Sequence, residues 1–244
     1  HNGVLGSVFE TQIRNNIAPE GAGFFIETSS FDIERSVFYA NEGGHGSALE
    51  MFQSNVNVVN SNFINNMNNN EWGLNSGAIF FNSSPSTFEL INSVVANNAD
   101  FEIIGQYPND GTNELFIDYS SIQGGNNFLF SGNSNVTWGS GNIELDPLFV
   151  DFENNNYQLQ QDSPLIDAGH PDSLDIDGTR SDIGALIYDQ TGLPLRVQNL
   201  KTVQKNQRVE LTWDTENQVD ENQYNIYRSF DINEDWYNAT PYST

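Results

Sequence analysis

Four aspartates near the middle of the C-terminal half are the clearest candidates for metal binding. Asp172, Asp175, Asp177 and Asp182 stand in the segment HPDSLDIDGTRSDIGA, which contains a DxDG run. Ca²⁺ is held by several hard oxygen ligands that converge on one ion. The pattern predicts a Ca²⁺ site formed by Asp175, Asp177 and Asp182. The alternative is an Asp-Gly turn in which a neighbouring aspartate neutralises Arg180.

Three aromatic residues could bind a sugar. Trp72, Tyr107 and Trp138 fall in segments that the sequence predicts to be loops. An aromatic face can stack on a sugar ring, but a large aromatic side chain can also fold back and seal its loop onto the protein. We predict these three as the ligand-binding residues, and no catalytic residue is assigned.

The charge balance excludes several partners. Asp and Glu total 33 against 8 Lys and Arg, which gives a net charge of −25. Phosphate binding needs a cationic surface, so nucleic acid is not expected as a partner, and anionic membranes repel such a chain. No apolar run is long enough to span a bilayer, and the chain has no cysteine for a disulfide.

The elements that carry these residues are predicted from an internal repeat. A twelve-residue unit recurs at spacings of 25, 25, 32 and 27 residues. It starts at Leu5, Ser30, Asn55, Thr87 and Glu114. The clearest copies share apolar residues at positions two, four and nine, Ser at seven and Asn at twelve. Alternation at this period predicts stacked strands of a parallel β-helix. His1 falls inside a repeat, so the chain is expected to be part of a longer protein.

Stacking the units predicts which side chains face inward. The first interior column contains Phe31, Val56, Phe88 and Leu115. The second contains Ile33, Val58, Leu90 and Ile117. The third contains Ile13, Phe38, Phe63, Val95 and Ile122. A column of asparagines, Asn16, Asn41, Asn66 and Asn98, is expected at a corner, where amides tolerate left-handed turns and bond along the stack.

The end of the repeat region resembles a known family. The phrases GNIELDPLF, NNNYQLQQDSPLIDAG and DIDGTRSDIGA look like the C-terminal end of bacterial right-handed parallel β-helix repeat proteins, in the pectate lyase-like superfamily. The resemblance implies an all-β fold, a right-handed parallel β-helix over residues 1–188, with these phrases as final coils and a cap over its apolar end. That superfamily includes lyases, hydrolases, adhesins and passive stalks.

One candidate enzymatic motif is a GHG tripeptide. Gly44-His45-Gly46 resembles the GHG of polygalacturonases, but such hydrolases need clustered aspartates, and the first 99 residues contain only Asp32. The GAG at 21–23 fills the same corner in the preceding coil, so the glycines serve the turn and His45 is predicted to be incidental.

Lyases of the resembling fold use a Lys or Arg base. Residues 1–188 offer only Arg14, Arg35 and Arg180 against 24 acidic residues. A polyuronate substrate would be repelled and poorly neutralised. We therefore predict no cleavage by this chain.

After a linker at 189–194 the pattern changes. VQNLKTV, RVELTWD and QYNIYRS alternate like strands and resemble the start of a fibronectin type III domain with Trp213 in its core. Residues 195–244 would be a partial β-sandwich, since a complete one needs about 100 residues.

Together these features predict a secreted or bacterial cell-surface protein. Its expected role is non-enzymatic adhesion or binding of an extracellular polysaccharide or cell-surface glycan. Two alternatives stay open at this point. One is a polysaccharide lyase or glycoside hydrolase whose catalytic coils lie upstream of His1, and the other is a purely structural stalk or filament subunit. No cofactor is expected apart from the possible Ca²⁺.

Overall fold

The chain forms a parallel β-solenoid of about four turns. A computed structural model describes residues 4–68, 77–98, 101–105, 111–125, 129–130, 134–190, 197–205 and 208–215. Within the described ranges, the strands, β1 to β23 in chain order, are joined mostly by short bends of two or three residues. The all-β solenoid class predicted from the repeat is confirmed.

Successive strands run around each coil, and equivalent strands of neighbouring coils pair in parallel to form four walls. Wall A contains β1 (Val4–Phe9), β5 (Ser29–Glu34), β9 (Asn55–Val59), β13 (Thr87–Ile91), β16 (Asn113–Asp118) and β19 (Ser134–Trp138). Wall B contains β2 (Gln12–Arg14), β6 (Val37–Tyr39), β10 (Asn62–Ile64), β14 (Val94–Ala96) and β17 (Ser121–Ile122). Wall C contains β3 (Ile17–Glu20), β7 (Glu42–His45) and β11 (Met67–Asn68). Wall D contains β4 (Phe24–Glu27), β8 (Leu49–Phe52), β12 (Gly77–Ser83), β15 (Phe101–Gly105) and β18 (Leu129–Phe130).

The strand register of wall A agrees with the sequence repeat. Leu5 pairs with Ser30, and Ser30 pairs with Asn55. Asn55 pairs with Thr87, which pairs with Glu114. These are the five predicted starting positions, so the inserted residues of the longer coils leave the stacking register intact.

The interior is filled by the predicted columns. Wall B contributes the third column in the predicted order, from Ile13 to Ile122, and every member is buried. Phe38 and Phe63 stack with ring centroids 4.7 Å apart. In the other two columns Phe31 is half-buried and the remaining members are buried. Burial of these side chains against one another provides the main stabilisation of the stack.

The asparagine ladder is present as predicted. Asn16 Nδ2 donates to Asn41 Oδ1, Asn41 Nδ2 to Asn66 Oδ1, and Asn66 Nδ2 to Asn98 Oδ1, each at 2.9 Å. The left-handed turn, however, lies one residue earlier than expected. Ala40, Asn65 and Asn97 have φ of 52°, 55° and 56°, respectively. The ladder residues themselves are thus free to bond along the stack.

The outer face of wall B is also buried, because the C-terminal segment of the solenoid unit packs against it. Val37, Ile64 and Val94 form a second apolar cluster with Tyr157 and Leu165. The segment expected to cap the apolar end of the solenoid thus packs along its side, and closure of the end by these residues stays a prediction. The apolar runs VFY and VVA, unbroken by polar residues, are typical of strands buried on both faces.

Hydrogen bonds fix this side-packed segment. It contains the antiparallel pair β20 (Phe149–Asp151) and β21 (Asn156–Leu159), with a 3₁₀ helix (Phe152–Asn154) between them. The backbone N–H of His170 donates to Asn92 Oδ1, and that of Ala185 donates to Asn62 Oδ1. Both acceptors lie at wall B, so the side-packed segment is held across two neighbouring coils.

A second compact unit covers residues 191–244. Its described part is an antiparallel pair, β22 (Val197–Lys205) and β23 (Arg208–Thr215). The sandwich predicted for 195–244 falls largely outside the described residues and stays a prediction. Within the described ranges, no helix has the length and apolar character needed to cross a bilayer.

Candidate functional site

A groove lies between wall B and the side-packed segment. It comprises two adjoining depressions with volumes of about 470 and 390 Å³. Both are lined by Asn97, Gln123 and Phe152, so they share one boundary. Hereafter "the groove" means these two depressions together.

Local folding explains how the three shared residues reach the groove. Asn97 follows β14 in a left-handed conformation, and its backbone N–H donates to the Gln123 side-chain oxygen. Phe152 begins the 3₁₀ helix, where Asp151 accepts from the N–H of Asn154 as an N-cap. The Phe152 ring meets Tyr157 edge-on at 5.8 Å. The aromatic ring is thus held by the apolar cluster behind it.

Amides and acids dominate the polar lining. One depression adds Glu144, Asp146 and Gln160, and the other adds Asn65, Asn98 and Glu102. No lysine or arginine lines either depression within the described part of the chain. Such a surface can donate and accept hydrogen bonds from hydroxyl groups, and it repels anions.

Glu102 is the most buried acid of the groove. It is 3% exposed, and its Oε2 accepts from Asn98 Nδ2 at 2.6 Å. Burial raises the pKa of Glu102 to about 7, although the hydrogen bonds from Asn98 and Asn97 oppose the rise. Its protonation therefore changes near neutral pH.

A second cluster, Glu20, His45 and Glu50, lies at walls C and D. Glu20 ends β3 and pairs with His45 at the end of β7, while Glu50 lies in β8. One ligand atom of each residue lies within 4.8 Å of the other two. We call this group the acid–histidine cluster. Among the described residues, these three are the group whose side-chain ligand atoms are close enough together to hold a metal ion.

The electrostatics of the acid–histidine cluster follow from its burial. Burial raises the pKa of Glu50 to about 7, the hydrogen bond from Asn82 opposes this, and the charge of Glu20 adds to it. Burial also lowers the pKa of His45, which Glu20 partly offsets. At neutral pH the imidazole is therefore mostly neutral.

The repeat alignment does not predict this cluster, because it pairs the wrong glycines at the corner. GHG at 44–46 was matched to GAG at 21–23, but Gly21 donates to the carbonyl of His45, and Glu20 is the residue that pairs with His45. The correct match is two residues away, since Gly21 is equivalent to Gly46. Aligning the left-handed glycines first would have placed Glu20 beside His45.

The three aspartates predicted to bind Ca²⁺ are engaged by backbone N–H groups. Asp175 Oδ2 accepts from the N–H of Asp182 at 2.7 Å. Asp177 accepts from the N–H groups of Thr179 and Gln190 at 3.0 Å each. The three do not form a group with mutually close ligand atoms in the described structure. Their binding of Ca²⁺ stays a prediction.

Asp182 has a structural role inside the side-packed segment. It is 2% exposed and accepts from the N–H groups of Asp167 and Tyr188. Burial raises its pKa to about 6, against the effect of these bonds. Burial also raises the pKa of Asp175, whereas backbone N–H groups lower that of Asp177.

The predicted aromatic ligands are only partly placed. Trp72 and Tyr107 lie outside the described residues. Trp138 ends strand β19 rather than lying in a loop, and it is half-buried and packs against the solenoid core. Their contact with a sugar stays a prediction.

The arginines of the solenoid unit have local partners. Arg35 forms two ion pairs: its Nη1 lies 3.7 Å from Glu10 Oε1, and its Nε lies 3.8 Å from Glu34 Oε1. Arg14 lies over the Tyr39 ring at 5.8 Å.

Arg180 differs from its predicted role in the cap. It donates to the carbonyls of Ala168 and Gly169 and lies over the Tyr119 ring. Among the described residues it forms no ion pair with an aspartate; its Nε and Nη2 donate to carbonyl oxygens instead.

Comparisons of the chain with protein families, with curated proteins and with solved structures found no match.

Proposed function

We propose that this chain belongs to a secreted or bacterial cell-surface protein that binds a neutral extracellular polysaccharide or cell-surface glycan without cleaving it. The single observation that supports this function is the groove, with its amide-rich lining and the supported ring of Phe152. Sugar hydroxyls pair with amides and carboxylates, and an aromatic ring offers an apolar face to a pyranose.

The charge of the groove selects among glycans. Glu102, Glu144 and Asp146 line it, and the solenoid unit has few cations. An anionic polyuronate would pay an electrostatic cost that a neutral chain avoids. Charged glycans would therefore need Ca²⁺ to bridge them.

The finer family assignment is also part of this proposal. The solenoid is right-handed and pectate lyase-like, and the second unit is the first half of a fibronectin type III-like domain. The motifs GNIELDPLF and DIDGTRSDIGA support the first assignment, and the alternation around Trp213 supports the second. In this arrangement the solenoid presents the groove and the second unit acts as a spacer.

Retention of the full chain on immobilised polysaccharides tests the function. Neutral polysaccharides, pectate and alginate are compared with Ca²⁺ present, and unsaturated products and new reducing ends are monitored. We expect retention on a neutral polysaccharide and no products. Product release would overturn the non-enzymatic assignment in favour of a lyase or hydrolase, and absence of retention on every polysaccharide would favour a structural stalk.

A matched pair of variants tests the groove. Gln123→Ala removes an exposed amide shared by both depressions, and we expect affinity to fall roughly 5- to 10-fold, the effect of one lost hydrogen bond. Gln158→Ala removes an exposed amide from β21 that lines neither depression and serves as the control. Equal retention of both variants and the parent would exclude the groove as the site.

The aromatic prediction has its own test. Trp72→Ala, Tyr107→Ala and Trp138→Ala are measured on the same polysaccharide. Weaker retention of the first two would extend the binding surface to their segments. Unchanged retention of all three would assign these rings to packing.

A further inference from the structure

The acid–histidine cluster brings together chemically complementary ligands from two neighbouring coils. Glu20 comes from the first coil, and His45 and Glu50 come from the second. Their ligand atoms lie within 4.8 Å of one another. Ligands at ~2.0 to 2.2 Å from a tetrahedral ion lie roughly 3.3 to 3.6 Å apart, so small rotations of the side chains would close such a site.

Glu50 supplies an independent sign that a ligand belongs here. Its side chain is fully buried at 0% exposure, and Oε1 accepts from Asn82 Nδ2 at 2.6 Å. Oε2 is buried and accepts no hydrogen bond of good geometry from the described residues. The Gly21 N–H lies near enough to the Glu50 carboxylate to lower its pKa slightly, but it donates to the His45 carbonyl oxygen. A buried oxygen without a partner is costly, and a bound cation would remove that cost.

The turn in the backbone between His45 and Glu50 brings these two residues close together. Gly46 has φ of +52°, and a Cβ added there would lie 2.5 Å from the Leu49 carbonyl oxygen and 2.8 Å from Glu50 Cβ. Only glycine permits so tight a turn. The turn brings the end of β7 close to Glu50.

The surroundings orient the ligands. The His45 ring stacks on Phe80 at 4.6 Å with an interplanar angle of 4°, which fixes the plane of the imidazole. Asn82, from the third coil, holds one oxygen of Glu50 and leaves the other for an ion. Such supporting hydrogen bonds orient ligands in protein metal sites.

We propose that Glu20, His45 and Glu50 form a binding site for a divalent transition-metal ion of the zinc class. One imidazole and two carboxylates suit Zn²⁺, whereas Ca²⁺ prefers more ligands, all of them oxygen. Glu20 is exposed, His45 is half-buried and Glu50 is buried, so an ion can enter from the Glu20 side. Three protein ligands leave one tetrahedral position for water.

Such an ion would connect two coils directly and a third through Asn82. Binding to the folded state alone stabilises the stack by mass action. This site is separate from the groove, since none of its three residues lines either depression. Its test is therefore independent of glycan binding.

Calorimetric titration of the chelator-treated full chain tests the proposal, with ZnCl₂ as the probe and CaCl₂ as the comparison. We expect one Zn²⁺ per chain, a higher midpoint of thermal unfolding with Zn²⁺ and little effect of Ca²⁺. Absence of Zn²⁺ binding, or stronger binding of Ca²⁺ than of Zn²⁺, would overturn the zinc-class assignment.

Variants locate the ion. Glu50→Gln keeps the acceptor for Asn82, and Glu20→Gln alters an exposed side chain with little risk to folding. Each should weaken Zn²⁺ binding by roughly 100-fold or more, since loss of a mere supporting residue costs roughly 10- to 100-fold. Glu42→Gln, at an exposed position of β7, and His170→Gln are the controls.

Co²⁺ provides a spectroscopic readout of the ligand set. A tetrahedral Co²⁺ site absorbs visible light, and the bands should change when Glu50 or His45 is substituted. Zn²⁺ binding that Glu50→Gln and Glu20→Gln leave unchanged, but that His170→Gln removes, would place the ion elsewhere and refute the proposal.

Discussion

The buried carboxyl of Glu102 makes the stability of the solenoid depend on pH in an unusual direction. Its pKa rises from an ordinary value of 4.5 to about 7 in the folded chain, because burial penalises the charged form. The folded state therefore binds the proton more tightly than the unfolded state. Its stabilising contribution is fully present below about pH 4.5 and is lost as the pH rises through about 7.

The magnitude follows from this shift. Each pKa unit corresponds to about 1.4 kcal/mol, so a rise of about 2.5 units costs about 3 kcal/mol of unfolding free energy between pH 4.5 and a pH well above 7. Glu102→Gln removes the titrating group and keeps an oxygen that can accept from Asn98. As the pH rises over this range, the unfolding free energy of the variant should fall by about 3 kcal/mol less than that of the parent.

Urea unfolding at about pH 5 and about pH 8, followed by circular dichroism with chelator present, measures most of this difference, about 2.5 kcal/mol. Glu89→Gln removes an exposed carboxylate from β13 and is the matched control. We expect the control to retain the pH dependence of the parent. An identical pH dependence in Glu102→Gln and the parent would refute the argument that burial controls this carboxyl.

Two further predictions follow from packing and from the aspartates. Phe63 is fully buried, so Phe63→Ala should lower the unfolding free energy by about 3 to 5 kcal/mol through cavity formation, whereas Phe116→Ala, at 40% exposure, should have a small effect. Equal urea midpoints for the two variants would contradict the conclusion that Phe63 is buried and Phe116 is not. If Asp175, Asp177 and Asp182 bind Ca²⁺, excess CaCl₂ should raise the midpoint of thermal unfolding above that in chelator. An unchanged midpoint would leave them as turn and hydrogen-bonding residues.

The repeat determined the solenoid because stacking imposes one environment on equivalent positions. Every coil must place an apolar residue at the Phe63 position and a polar residue at the Asn66 position, so these constraints appear at fixed offsets in the sequence. Insertions in the longer coils do not alter this, since they fall between the paired strands. Register, inward columns and the asparagine ladder were therefore predictable.

The sites were less predictable, because they depend on contacts between segments without a repeated pattern. The groove exists only because the segment after Pro147 packs along wall B, and nothing in its own alternation shows on which surface it lies. The raised pKa of Glu102 depends on its burial in the folded chain. Neither property can be assigned from residue type.

By itself the sequence determined the all-β class, the stacking register and the scarcity of cations, because these depend on composition and on spacing along the chain. Tertiary structure alone decided that Glu20 lies beside His45 and Glu50, and that the C-terminal segment covers a wall of the solenoid. A shift of two residues in the alignment of one corner changes which side chains become neighbours across coils. Metal binding and groove formation depend on distances of a few ångströms between those neighbours, which the packed backbone fixes.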